Sequence, residues 1–165
     1  MNNIYLCGFM GCGKTTVGRN IARISGKKFI DLDFYIVKKV NLSISEIFKQ
    51  YGQDKFRIIE SQCLKEISDL ENCIVSLGGG TVTSAENVQV VKSSGKLVYL
   101  YLTFNRCYER IKNNPKRPIV MQTSKDKLYN LYLERHEIYK ANADCTFETF
   151  RSPIVCAKQI LRILK

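Results

Sequence analysis

Residues 4–15 read Ile4-Tyr5-Leu6-Cys7-Gly8-Phe9-Met10-Gly11-Cys12-Gly13-Lys14-Thr15. Four apolar residues run into a glycine-rich turn. From Lys14 a helical pattern begins that carries Val17, Ile21 and Ile24 on one face as far as Ser25. A short apolar run bounded by glycines reads as a buried strand. The turn matches G-x-x-x-x-G-K-[ST] in full, with the strand before it and the helix after it that this phosphate-binding loop requires. A chance glycine-rich turn shares the letters without that context. The glycines let successive backbone N–H groups curl around phosphate oxygens, and the helix N-terminus adds partial positive charge. Lys14 is then placed to reach β- and γ-phosphates, and the Thr15 hydroxyl to ligate Mg²⁺.

Working outward, the same alternation continues. Lys28-Phe29-Ile30-Asp31 reads as a second strand, and Ser43-Ile44-Ser45-Glu46 opens a helix with the capping-box spacing. From Gln53 to Leu70, the apolar residues Phe56, Ile59, Cys63, Ile67 and Leu70 step by three and four, which fits one long helix. Strands follow at Ile74–Leu77, Lys96–Leu102 and Cys145–Phe147, and helices at Asn105–Lys112, Lys125–Asn142 and Pro153–Leu164. The polar stretch 113–125 reads as a mobile loop. Strand–helix alternation requires a parallel sheet covered by helices on both faces, hence one α/β domain over residues 1–165. Ligands in such sheets bind beyond the carboxyl ends of the strands, where Gly8, Gly78 and the pair Asp31/Asp33 all fall.

The chain of 165 residues is long enough for a core without staples. Its net charge of +11 points to an anionic partner, but no single-sign block stands out, so the charge reads as distributed. Seven cysteines with no C-x-x-C pair argue against a disulfide framework or a structural zinc site. No leader pattern or long apolar run is seen, and a reducing cytoplasm is expected.

Five further features carry chemistry. Asp31-Leu32-Asp33 ends the second strand, so one carboxylate can hold a metal and the other face an acceptor; an isolated D-x-D also reads as a loop cap. Arg57 and Glu60 share a helix face, which by itself describes an exposed ion pair of little worth. Gly78-Gly79-Gly80 follows a strand directly and suits close approach of a ligand to the main chain. Arg135 lies on or beside the apolar stripe of Leu128, Leu131, Ile138 and Tyr139, and a partly buried guanidinium needs an anion, internal or bound. Arg117, in the loop, is placed to close over transferred charge, or else is a solvated arginine.

The loop at Gly8–Thr15, Asp31-Leu32-Asp33, Phe56-Arg57-x-x-Glu60, Ser76-Leu77-Gly78-Gly79-Gly80, Arg117-Pro118 and Arg135-x-x-x-Tyr139 together resemble the shikimate kinase family in order and spacing, from Ile4 to about Pro153. The resemblance implies a P-loop fold of the nucleoside monophosphate kinase type: three layers, a five-stranded parallel sheet, a substrate-binding helical region about 33–60 and a lid about 113–125. It implies ATP as co-substrate, Mg²⁺ as cofactor and transfer to the 3-hydroxyl of shikimate. It further implies that Met10, Gly11, Cys12, Gly13, Lys14, Thr15, Thr16 and Arg117 hold the nucleotide phosphates. Arg110, Arg151 and Pro153 would flank adenine, while Thr15 and Asp31 hold the metal. On the acceptor side it implies Asp33 as binding residue and base, Arg57 and Arg135 on the carboxylate, Glu60 orienting Arg57, and Gly78, Gly79 and Gly80 lining the site. Lys14 and Arg117 join Asp33 in catalysis. Cys12, Leu32 and the lid sequence Arg117-Pro118-Ile119-Val120 depart from the family's commoner residues without removing a proposed functional group. The expected partners are shikimate and ATP, with no nucleic acid, no membrane and a monomeric state. A gluconate-type kinase is the nearest rival, and a nucleotide module that binds nucleic acid is the rival of another class. The field of the loop also suggests a reactive thiol at Cys12, unless its sulfur turns inward.

Overall fold

The central strand, β1 (Asn3–Cys7), is buried along its whole length because both of its faces are covered. Ile4 and Leu6 point into one apolar cluster and Tyr5 and Cys7 into another, as the two-residue period of a strand demands. The computed structural model describes residues 3–114, 120 and 122–164. The remaining strands are β2 (Lys28–Asp31), β3 (Cys73–Ser76), β4 (Gly95–Tyr101) and β5 (Cys145–Glu148). Their order is β2-β3-β1-β4-β5, and every pairing is parallel.

Helices α1 (Lys14–Ser25), α5 (Phe104–Ile111) and α7 (Pro153–Ile163) pack on one face, where Val17, Ile21 and Ala22 of α1 meet Cys156, Ala157 and Ile160 of α7. Helices α2 (Leu32–Val40), α3 (Ile44–Ser68) and α4 (Ala85–Ser94) cover the other. Helix α6 (Lys125–Asn142) serves both, with Leu128 and Tyr132 in the first cluster and Tyr139 in the second. The three layers and five parallel strands are those the sequence resemblance implies.

Ser43 and Glu46 form the expected capping box on α3. The sequence suggests two helices between 43 and 70, and α3 is correspondingly broken at Gly52, whose φ of 79° and ψ of 174° lie outside the helical region. Two helices are not signalled by apolar spacing. Helix α2 buries only Leu32 and Ile36, with Asp31 capping it, and α4 buries only Asn87 and Val91, with Ser84 capping it. Within the stretch expected to be a mobile loop, Val120 is buried in the first cluster, while Arg117 and Pro118 lie outside the described residues.

The order of strands places β1 at the point where the chain's progress across the sheet reverses. After β1 the chain moves outward to β2 and later returns on β1's other side through β4. Such a reversal opens a crevice at the strands' carboxyl ends.

Candidate active site

A cleft of about 400 Å³ occupies this crevice, lined by Met10, Gly11, Gly13, Lys14, Thr15, Thr16, Asp31, Asp33, Ser76, Leu77, Gly79 and Arg110. On one side is the loop between β1 and α1. Gly13 caps α1 in the left-handed region at φ 102°, a conformation that an L side chain resists, and this lets the loop turn its N–H groups inward. The Lys14 ammonium folds back on the loop and donates to the carbonyls of Gly8 at 2.7 Å and Phe9 at 3.4 Å. It is thereby held over the cradle rather than in solvent.

Thr15 and Asp31 meet across the cleft. The Thr15 hydroxyl donates to Asp31 Oδ2 at 3.0 Å, while Asp31 Oδ1 accepts from the Phe34 N–H at 3.3 Å. Asp31 therefore takes the capping role the sequence allowed, at α2, and its other oxygen faces the loop hydroxyl. Two hard oxygens beside a phosphate cradle suit Mg²⁺, which keeps its waters and takes few protein ligands. No group of three or more His, Cys, Asp or Glu among the described residues forms a protein cage for a metal. Asp33, in the first turn of α2, lines the cleft.

The opposite wall is Ser76, Leu77 and Gly79, with α3 and α6 packed next to the segment after β3; the expected residues Arg57, Glu60, Gly78, Gly80 and Arg135 are not among those lining the cleft. Arg57 donates through Nη1 to Glu60 Oε2 at 2.6 Å, and Glu60 is only 1% exposed. This is not the solvent-exposed pair that spacing alone describes. A Cβ added to Gly80 would lie 2.2 Å from Arg57 Nη2, so the guanidinium rests directly on that glycine. The Nη1 of Arg135 is buried and has no hydrogen-bond partner among the described residues. The Tyr139 phenol, one turn after Arg135, donates to the Gly79 carbonyl at 2.6 Å. Burial pushes this phenol's pKa up, against the opposing pull of Arg135 and Arg57, so both guanidinium charges bear on one buried oxygen. Two cations thus converge beside a glycine-lined cleft, with one charged donor left for an incoming anion.

The other expected residues sort unevenly. Arg110 reaches the loop and donates to the Gly11 carbonyl at 2.9 Å. Arg151 stacks over Phe150, with its guanidinium carbon 5.5 Å from the ring centroid, and Pro153 opens α7; neither lines the cleft. Arg117 lies outside the described residues. Cys12 is 1% exposed and packs in the core cluster, so the thiol expected inside the phosphate field is turned inward. The reactive reading of Cys12 is corrected on that ground. Sequence reasoning missed Thr149, which is 4% exposed and donates to the Cys12 carbonyl at 2.8 Å. It joins the loop to the end of β5. No apolar period marks such a residue, and a Thr following a short strand is the only trace it leaves.

Comparison with known proteins gives one consistent family. A sequence model described as shikimate kinase matches residues 10–165. A shikimate kinase of Caldicellulosiruptor bescii is 35% identical over 99% of this chain and 95% of its own. Among solved structures, shikimate kinase from Acinetobacter baumannii, in complex with shikimate, superposes with a TM-score of 0.92 at 34% identity, covering 99% of this chain and 92% of that one. A gluconokinase from Sinorhizobium meliloti gives a TM-score of 0.66 at 15% identity over 99% of this chain and 93% of its own, which is a likeness of fold alone.

Proposed function

The chain belongs to the shikimate kinase family, and we propose that its cleft carries out ATP-dependent phosphorylation of the shikimate 3-hydroxyl, with the following division of labour. The backbone N–H groups from Met10 to Thr16, with Lys14, hold the β- and γ-phosphates and take up charge as it spreads over the transferred group. Thr15 and Asp31 would hold Mg²⁺, which when bound would neutralise phosphate charge. Asp33 binds the acceptor's hydroxyls and accepts the proton of the attacking one. Arg57 and Arg135 grip its carboxylate, Glu60 orients Arg57, and Gly78, Gly79 and Gly80 let the ring approach the main chain. Arg110 stands on the nucleotide side of the cleft, whereas the adenine role of Arg151 and Pro153 and the phosphate role of Arg117, which lies outside the described residues, rest on the family resemblance alone.

The observation that carries this reading is the buried, unpartnered Nη1 of Arg135 beside a second guanidinium. A cyclic carboxylate supplies what that pair lacks. An uncharged acceptor does not, and gluconate in open-chain form offers a different shape. The seven free cysteines support a reducing cytoplasmic setting, and no described helix is long and apolar enough to cross a membrane. Action as a monomer is part of the proposal, and the basic excess is assigned to anionic small molecules rather than nucleic acid. A coupled assay of ADP release, run with shikimate, gluconate or neither, tests the proposal. Release must rise with shikimate and require Mg²⁺; no rise above the shikimate-free rate sinks it.

A further inference from the structure

The carboxylate of Glu60 has two donors. Its Oε2 accepts from Arg57 at 2.6 Å, and its Oε1 accepts from the Thr81 hydroxyl at 2.7 Å. Thr81 is fully buried and is itself fixed by its backbone: its N–H donates to the Gly78 carbonyl at 3.2 Å, and its carbonyl accepts from Asn87 Nδ2 at 2.9 Å. A Cβ at Gly78 would meet Glu60 Oε1 at 2.9 Å, Thr81 Oγ1 at 3.0 Å and Asp33 Oδ1 at 3.1 Å. The side chains that face the acceptor therefore converge on one glycine, and Thr81 stands behind them.

The last torsion of a glutamate is broad, so a carboxylate held at one oxygen can rotate. A second donor on the other oxygen selects one plane. We propose that Thr81 is a positioning residue for the acceptor: its hydroxyl fixes the plane of the Glu60 carboxylate, and that plane fixes the Arg57 fork that receives the acceptor's carboxylate. Arg57 is one-third exposed at its side chain, so without this brace it has room to swing toward solvent. Preorganising a bidentate clamp raises affinity by removing the cost of ordering it on binding. The inference rests on the assignment of Arg57 to the acceptor carboxylate.

The test compares Thr81→Val, which keeps the shape and removes the donor, with Thr81→Ser, which restores it. Thr81→Val should raise the KM for shikimate on the order of tenfold, the loss of one hydrogen bond to a charged group. It should leave kcat and the KM for ATP within about twofold, since neither depends on the brace. Thr81→Ser should return the parent KM. In an Arg57→Ala background, Thr81→Val should add nothing, because its effect passes through that arginine. If Thr81→Val does not fold, Thr81→Ala carries the same comparison. An unchanged shikimate KM in the hydroxyl-less variant, or an equal rise in both backgrounds, overturns the positioning role while leaving Arg57's assignment intact. An unchanged KM in Arg57→Ala alone overturns that assignment instead, and the inference falls with it.

Discussion

Replacing Arg135 with methionine separates a ligand-binding arginine from a structural one, because the two predict opposite effects on the free protein. Nη1 is buried without a partner among the described residues, a state that costs about 1–3 kcal/mol in the absence of ligand. Methionine fills similar space without charge and removes that penalty. Denaturant unfolding of Arg135→Met without shikimate should therefore give a free energy no lower than about 1 kcal/mol below the parent. Shikimate binding should respond in the other direction. The charge-assisted bond from Nη1, at roughly 1.5–3 kcal/mol, is lost, which corresponds to a rise in Kd of roughly tenfold to a hundredfold. Calorimetric titration with shikimate reads this directly, and an ATP analogue serves as the control, since the phosphate cradle lies across the cleft. A loss of more than about 2 kcal/mol in the free protein, together with unchanged shikimate affinity, would refute the argument: Arg135 would then satisfy an internal acid. Arg135→Lys refines the result, because a point charge without the planar fork should fall between parent and methionine in affinity.

Asp33→Asn should lower kcat by roughly 10²–10⁴-fold while an ATP analogue still binds, whereas Lys14→Met should weaken nucleotide binding and turnover together; lost nucleotide affinity in Asp33→Asn would put that residue on the wrong ligand. Tyr139→Phe removes the donor to the Gly79 carbonyl and should cost about 1 kcal/mol of stability with a several-fold rise in shikimate KM, read by denaturant melts and steady-state kinetics; normal values in both would show that Gly79 needs no anchor. Six of the seven thiols are buried and Cys145 is half-buried, with burial pushing Cys107 up to about 12. Brief iodoacetamide treatment followed by peptide mapping should label Cys145 before Cys12, and preferential labelling of Cys12 would show that its sulfur leaves the core.

The sheet was legible because β1 and β4 are buried on both faces and so read as unbroken apolar runs. The phosphate loop was legible because its glycines serve the backbone, and backbone demands leave their mark in consecutive residues. Helices α2 and α4 were not, for each buries only two positions four apart and is otherwise exposed or half-buried. Their visible signals are the caps at Asp31 and Ser84, and Asp31 also had to be considered as a metal ligand. The pairing of Arg57 with Glu60 followed from helical spacing, but its burial did not, since that depends on Gly80 and Thr81 arriving from beyond β3. Thr81 and Thr149 act on partners 21 and 137 residues away, and no local pattern encodes such a bond.

The hydroxyl of Thr149 on the Cys12 carbonyl, and the packing of α7 on α1, have a consequence for how the protein is made. Synthesis proceeds from the amino end, so Cys12 and its loop are made 137 residues before Thr149. The hydroxyl bonded to this loop, and the helix that packs on α1, come only after all five described strands. A nascent chain halted before residue 149 holds the whole nucleotide signature, yet its Cys12 carbonyl lacks this bond and Val17 and Ile21 lack their α7 neighbours. The loop's bond to Thr149 and the apolar cover of α1 are thus added only once the residues of the fifth strand have been made.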